Sequence, residues 1–202
     1  ANPALTGAGG WRGMVLLNSA GTSLNTPTLE YCIIKDMKNG SLQSSGENLY
    51  INQCEFYHNH TNGHMINLAN FPSTGNAKMK FTNSVLRDNR TGGAMMYTLY
   101  ADSTYVTNNK FYNNTNNGGF GIYCNAAFAD TSTGVLMFKN NELYNNTVIA
   151  SGGVVNCLQG GVVHILNNKV HHNQTTFQGS VSVQSKKALV EQNLITNNQQ
   201  IL

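Results

Sequence analysis

The feature that most limits what this chain can fold into is a block that recurs seven times with an apolar residue at two fixed positions. Aligned on Cys32, Cys54, Ser84, Asn109, Asn141, Asn168 and Asn193, the residue two places later is Ile34, Phe56, Leu86, Phe111, Leu143, Val170 or Ile195. Three places earlier stands Leu29, Ile51, Phe81, Val106, Phe138, Ile165 or Val190. Neither column has a polar exception. The anchors are 22, 30, 25, 32, 27 and 25 residues apart, a period that marks stacked repeats.

Apolar and polar residues alternate before the anchors, as in Leu49-Tyr50-Ile51, Met79-Lys80-Phe81 and Val163-His164-Ile165. That period of two selects strands over helices. Glycine precedes the following strand in most blocks, at Gly63, Gly93, Gly119, Gly152 with Gly153, and Gly179. These positions read as corners that use positive φ. One block buries nothing by itself, whereas blocks stacked about 4.8 Å apart share one hydrogen-bond ladder and one core. A β-sandwich or barrel also gives many short strands, but not one residue class at one phase in seven blocks. The unequal steps place insertions at Phe71 to Asn76 and Asn125 to Gly134, loops suited to specialised contacts.

Written out, the blocks read Phe56-Tyr57-His58-Asn59 with Asn62-Gly63, and Leu86-Arg87-Asp88-Asn89 with Gly92-Gly93-Ala94-Met95. Two more read Phe111-Tyr112-Asn113-Asn114 with Gly118-Gly119, and Leu143-Tyr144-Asn145-Asn146 with Gly152-Gly153-Val154. This resembles the FxxN and GGA[ILV] repeats of the polymorphic outer membrane protein family and, more broadly, the pectate-lyase-like β-helix superfamily, over residues 28 to 198. The first block departs from the pattern, with Met37 where Asn is expected. The resemblance implies an all-β fold, a single-stranded right-handed parallel β-helix (solenoid) of about seven coils. Residues 1–27 would form an N-terminal segment and first partial coil, and 28–202 the repeats. The architecture hosts lyases, glycosidases, adhesins and tailspikes, so it names no single activity.

Composition narrows the partners. Only 10% of residues are charged and the net charge is +3, with the lysines and arginines scattered, so no stripe for a nucleic-acid backbone is present. No apolar run approaches the roughly 18 residues of a membrane span, and no cofactor motif is evident. Asparagine, with 31 residues, supplies much of the polarity. Gln53, Asn83, Asn108, Asn140, Asn167 and Gln192 each precede an anchor. In an in-register stack their amides would form a structural ladder.

Six N-x-[ST] sequons start at Asn39, Asn59, Asn89, Asn113, Asn145 and Asn173, all four to seven residues after an anchor. That common phase predicts a row of N-linked glycans on one edge, and an extracellular or cell-surface location; side-chain hydrogen bonding at a turn would favour the same residues. Cys32 and Cys54 share the anchor position in consecutive coils, and Cys124 and Cys157 each follow a corner glycine by five residues. Two inter-coil disulfides or four apolar thiols fit equally. No spacing suits a metal site.

Only nine Asp and Glu are present, few for an enzyme of this architecture, where carboxylates hold calcium or act as acid and base. The best constellation is Asp36, His58 and Asp88 with Arg87 alongside. Its two aspartates lie two coils apart, roughly 10 Å by strand spacing. Tyr57, Tyr112 and Tyr144 fall in one column with Arg87 and His171, a ladder that could stack on sugars or on a partner. The residues therefore favour an extracellular structural or adhesive glycoprotein module over a catalyst. It would be either a piece of a larger surface protein or a subunit stacked end to end into a homo-oligomeric fibre, with Ala1 to Gly10 as the joint. The alternative is a carbohydrate-active protein, lyase-like or hydrolase-like, or a glycan binder.

Overall fold

The computed structural model describes residues 11–17, 26–45, 48–69, 78–99, 101–119, 121–125, 134–149, 152–176 and 179–201. Both expected insertion loops, apart from Asn125 and Gly134, and the Ala1 to Gly10 joint lie outside these residues. The described chain winds as a parallel solenoid. In the second coil the strands are Leu49–Asn52, Glu55–Tyr57, His60–Thr61 and Ile66–Ala69. Each pairs in parallel with its counterpart in the coil above, for example Leu86 with Phe56 on one side and Phe111 on the other.

The strand that follows each anchor belongs to a seven-stranded sheet, the short strand after it to a six-stranded sheet, and the remaining strands to a twelve-stranded sheet. Five coils carry all four strands; the first has only the Lys38–His60 bridge at its third position, and the seventh ends after three strands. Val155–Leu166 is one strand that joins the last strand of the fifth coil to the first of the sixth, and Val181–Glu191 does the same between the sixth and seventh. Their pairing shifts register between Leu158 and Gly160, and faces that are separate earlier in the stack merge. At the other end Gly13–Leu17 pairs with Ser41–Ser45. Trp11 donates its indole N–H to the Lys35 carbonyl and packs on the core.

Both apolar columns line the interior. Phe56, Phe81, Phe111 and Phe138 are the largest fully buried side chains, and Phe56, Phe81 and Phe111 pack ring to ring at centroid distances of 6.0 and 5.9 Å. Only the seventh rung, with no described neighbour above it, leaves its column residues Val190 and Ile195 about half exposed.

Two corners per rung turn on a non-glycine residue in the left-handed region. One is the residue before the anchor, from Tyr31 and Gln53 through Gln192; the other lies four after it, at Asp36, His58, Asp88, Asn113, Asn145, His172 and Asn197. Asn and Asp tolerate this conformation best, which explains their enrichment there.

The glycine corners work differently from the expectation. Among the described glycines only Gly13 and Gly119 have positive φ. Gly92 and Gly118 are instead needed because the coils approach closely. A Cβ at Gly118 would sit 2.0 Å from the Gly92 carbonyl oxygen, and one at Gly92 would sit 2.2 Å from that of Asn62.

Candidate functional site

The asparagine ladders lie one residue from where the sequence pattern suggested. The residues before the anchors are exposed, and only some of their amides meet, as where Asn140 donates to Asn108 at 3.0 Å and Asn108 to Asn83 at 3.2 Å. Two continuous ladders run inside instead. One is the anchor column, with Asn109, Asn141, Asn168 and Asn193; the other is Asn59, Asn89, Asn114, Asn146, Asn173 and Asn198. Wherever an asparagine precedes it, each ladder oxygen accepts from both the backbone and the side chain of the coil before it, while Asn59 and Asn109 accept only the backbone N–H of Met37 and Ser84. Each ladder amide also donates to a carbonyl of the coil before it. Asn114, for instance, accepts from Asn89 and donates to the Leu86 carbonyl. A buried amide with every group paired is stable, whereas an orphaned one is costly.

This arrangement corrects the sequon reading at three sites. Asn59, Asn89 and Asn173 are at most 2% exposed, with their amide nitrogens engaged in the ladder, so the folded solenoid leaves no room for a glycan there. Asn39, Asn113 and Asn145 are exposed at left-handed corners.

The cysteines are free thiols. Cys32 and Cys54 substitute for ladder asparagines at the first two anchors. Cys32 donates to the Glu30 carbonyl and Cys54 to those of Asn52 and Leu29, as Ser84 does to Thr82. Cys124 and Cys157 are register partners in the core. Parallel in-register partners hold their Cβ atoms near the strand spacing of about 4.8 Å, wider than the roughly 3.8 Å of a disulfide. Burial pushes the Cys124 thiol up to about 12, and that of Cys157 upward with a further push from Cys124.

Asp36, His58 and Asp88 stand at equivalent corners of the first three coils, pointing outward. Asp88 is bound to Arg87 at 2.9 Å and accepts from Asn113 at 3.2 Å. Arg87 also meets Glu55 at 2.6 Å. The hydrogen bonds that Arg87 donates to Asp88 and then to Glu55 raise its already high pKa. A third carboxylate on this sheet, Glu142, lies 3.7 Å from Lys110 and 3.5 Å from His171. Each of these three carboxylates thus has a cation beside it, an arrangement that neutralises their charge. Among the described residues no three His, Cys, Asp or Glu side chains converge as a metal site.

The tyrosine column is continuous. Tyr112 and Tyr144 stack at 4.9 Å and 7°, and Tyr144 and His171 at 5.4 Å and 3°. The Arg87 guanidinium lies 4.3 Å over Tyr57, with Lys35 Nζ 5.8 Å from the same ring. Stacked this way the rings occupy one another's faces, and what they present outward is edges and hydroxyls. Burial raises the Tyr144 pKa, helped by Tyr112, Glu142 and Asp88, so the hydroxyl remains a donor.

A second surface was not singled out from the sequence. Tyr50, Lys78, Lys80, Thr82, Tyr105 and Thr107, from three successive rungs, line an open groove of about 490 Å³ on the outer side of the strands that precede the anchors. The signal was available: Tyr50, Lys80 and Tyr105 all stand four residues before an anchor, beside the apolar column.

Comparison with curated proteins and with solved structures gives no significant match. The family model described as "Right handed beta helix region" matches residues 13–199, nearly the whole chain and every rung of the stack. The chain belongs to the right-handed β-helix family.

Proposed function

We propose that the chain is an extracellular, cell-surface module with a structural or adhesive role, a stiff shaft that holds contact surfaces at fixed spacing. The carrying observation is the outer face of the seven-stranded sheet. There Glu55, Asp88 and Glu142 are ion-paired and the rings of Tyr112, Tyr144 and His171 close on one another. Such a face offers a regular row of hydroxyls and charges to a partner, with three of its carboxylates already engaged by cations. Glycans at the exposed sequons would solvate one edge. The open seventh rung, with Val190, Leu194 and Ile195 each at least half exposed, would receive another rung from a longer chain or a neighbouring copy.

Microspheres coated with the chain should be retained on surfaces bearing an immobilised glycan panel, and Tyr112→Phe with Tyr144→Phe should reduce that retention. No soluble product should be released. Release of product that stops in Asp88→Asn would replace this reading with the carbohydrate-active one.

A further inference from the structure

We infer that the groove between Tyr50 and Tyr105 is a binding site for a sparsely charged, carboxylate-bearing glycan, held directly by Lys78 and Lys80. The two lysines project from the same side of one strand, about 7 Å apart by strand rise. Register places Lys80 between Tyr50 in the rung below and Tyr105 in the rung above. Lys80 Nζ sits 4.6 Å from the Tyr50 ring centroid, so the cation is held over an aromatic wall. Thr82 and Thr107 add hydroxyls along the same floor.

The site is electrostatically one-sided. The strands Leu49–Asn52, Lys78–Thr82 and Ser103–Thr107 contain no acidic residue, and the ion pairs among the described residues all lie on the seven-stranded sheet. Among the described residues no carboxylate pairs with either lysine, and an anionic ligand would supply the missing charge. With no acidic residue on these strands to bind calcium, capture is direct and does not need a bridging ion.

The chemistry of the ligand follows from what lines the groove. Two cations are too few for a nucleic-acid backbone, whose binding depends on neutralising many phosphates. Lysine is a point charge, and the bidentate geometry that favours arginine for dense sulfate or phosphate is absent. Tyrosine edges and threonine hydroxyls suit the mixed apolar and hydroxyl surface of a sugar ring. A polysaccharide with about one carboxylate per one or two sugars matches this set. The inference holds whether or not the tyrosine ladder adheres to anything, because the two surfaces share no residue.

The full chain is titrated with a hyaluronan oligosaccharide near physiological salt, with and without EDTA, beside neutral dextran, heparin and a thymidine oligonucleotide. Hyaluronan should bind, unaffected by EDTA and weakened by added salt. Lys78→Gln and Lys80→Gln should each weaken it at least about fivefold, the loss of one charge-assisted contact. Lys169→Gln, on another face, should not. Exposed lysine heads do not hold the fold, and an unchanged melting temperature verifies this for each variant. Failure to bind hyaluronan, equal binding by either groove variant, or preference for dextran, heparin or the oligonucleotide would each overturn the inference.

Discussion

Asn146 and Asn173 are joined twice, because the backbone N–H and the side-chain Nδ2 of Asn146 both donate to the Oδ1 of Asn173 at 2.9 Å. The same two-to-one bond repeats along the ladder. Asn146 in turn accepts from Asn114 and donates to the Phe111 carbonyl, so Asn146→Leu would orphan several buried groups at once. We expect a loss of about 3 kcal/mol or more in urea unfolding, given about 1–3 kcal/mol per orphan. Asn145→Gly, at the exposed left-handed corner beside it, should change stability by less than about 1 kcal/mol. Equal effects at the two positions would mean that the inner ladder does not hold the coils.

Burial and a raised pKa make the Cys124 and Cys157 thiols poor nucleophiles. Native protein treated with a thiol reagent should be modified first at Cys32, which is partly exposed whereas the other three are buried. Cys124 and Cys157 should react only after denaturant is added. Rapid labelling of Cys157 in folded protein would contradict the core placement.

Burial lowers the pKa of His64 below its ordinary 6.5. Its Nδ1 accepts the Ala94 N–H at 2.8 Å and its ring stacks on Tyr97 at 4.0 Å. The unfolded chain therefore takes up the proton at a higher pH than the folded one. The stabilisation is complete above about pH 6.5 and is lost as the pH falls from there toward the folded-state pKa. The denaturant midpoint should drop between about pH 7.5 and about pH 5.5, and His64→Asn should flatten that drop. An unchanged slope in the variant would assign the effect elsewhere.

Expression in a glycosylating host followed by glycopeptide mass spectrometry should find glycans confined to Asn39, Asn113 and Asn145. Occupied Asn89 in folded, soluble protein would show that the inner ladder can open, contrary to its burial.

The coil and its core were legible because strand alternation fixes which residues point inward, and the columns three before and two after the anchor obey it. The ladders were harder to place. Doublets such as Asn108-Asn109, Asn113-Asn114 and Asn145-Asn146 put two asparagines side by side. The first of each takes the left-handed conformation and faces solvent; the second turns inward. A left-handed residue breaks the alternation, so the pattern alone does not tell which member is inside, and both the ladder and the sequon readings slipped by that one residue. The paired cysteines were seen as stacked, but not as thiols standing in for ladder amides. The Tyr50, Lys80 and Tyr105 column is faint in the sequence because its members share no residue class. It becomes a site only once three rungs bring it onto one surface.

Successive coils stack in parallel and in register, and this stacking builds the outer face proposed for adhesion. It is tested most directly by nuclear Overhauser contacts between the ring protons of Tyr112 and Tyr144, 32 residues apart in the chain and 4.9 Å apart between ring centroids. The account predicts a strong ring-to-ring contact between these two, continuing from Tyr144 to His171. With all three residues assigned, the absence of both contacts would contradict it.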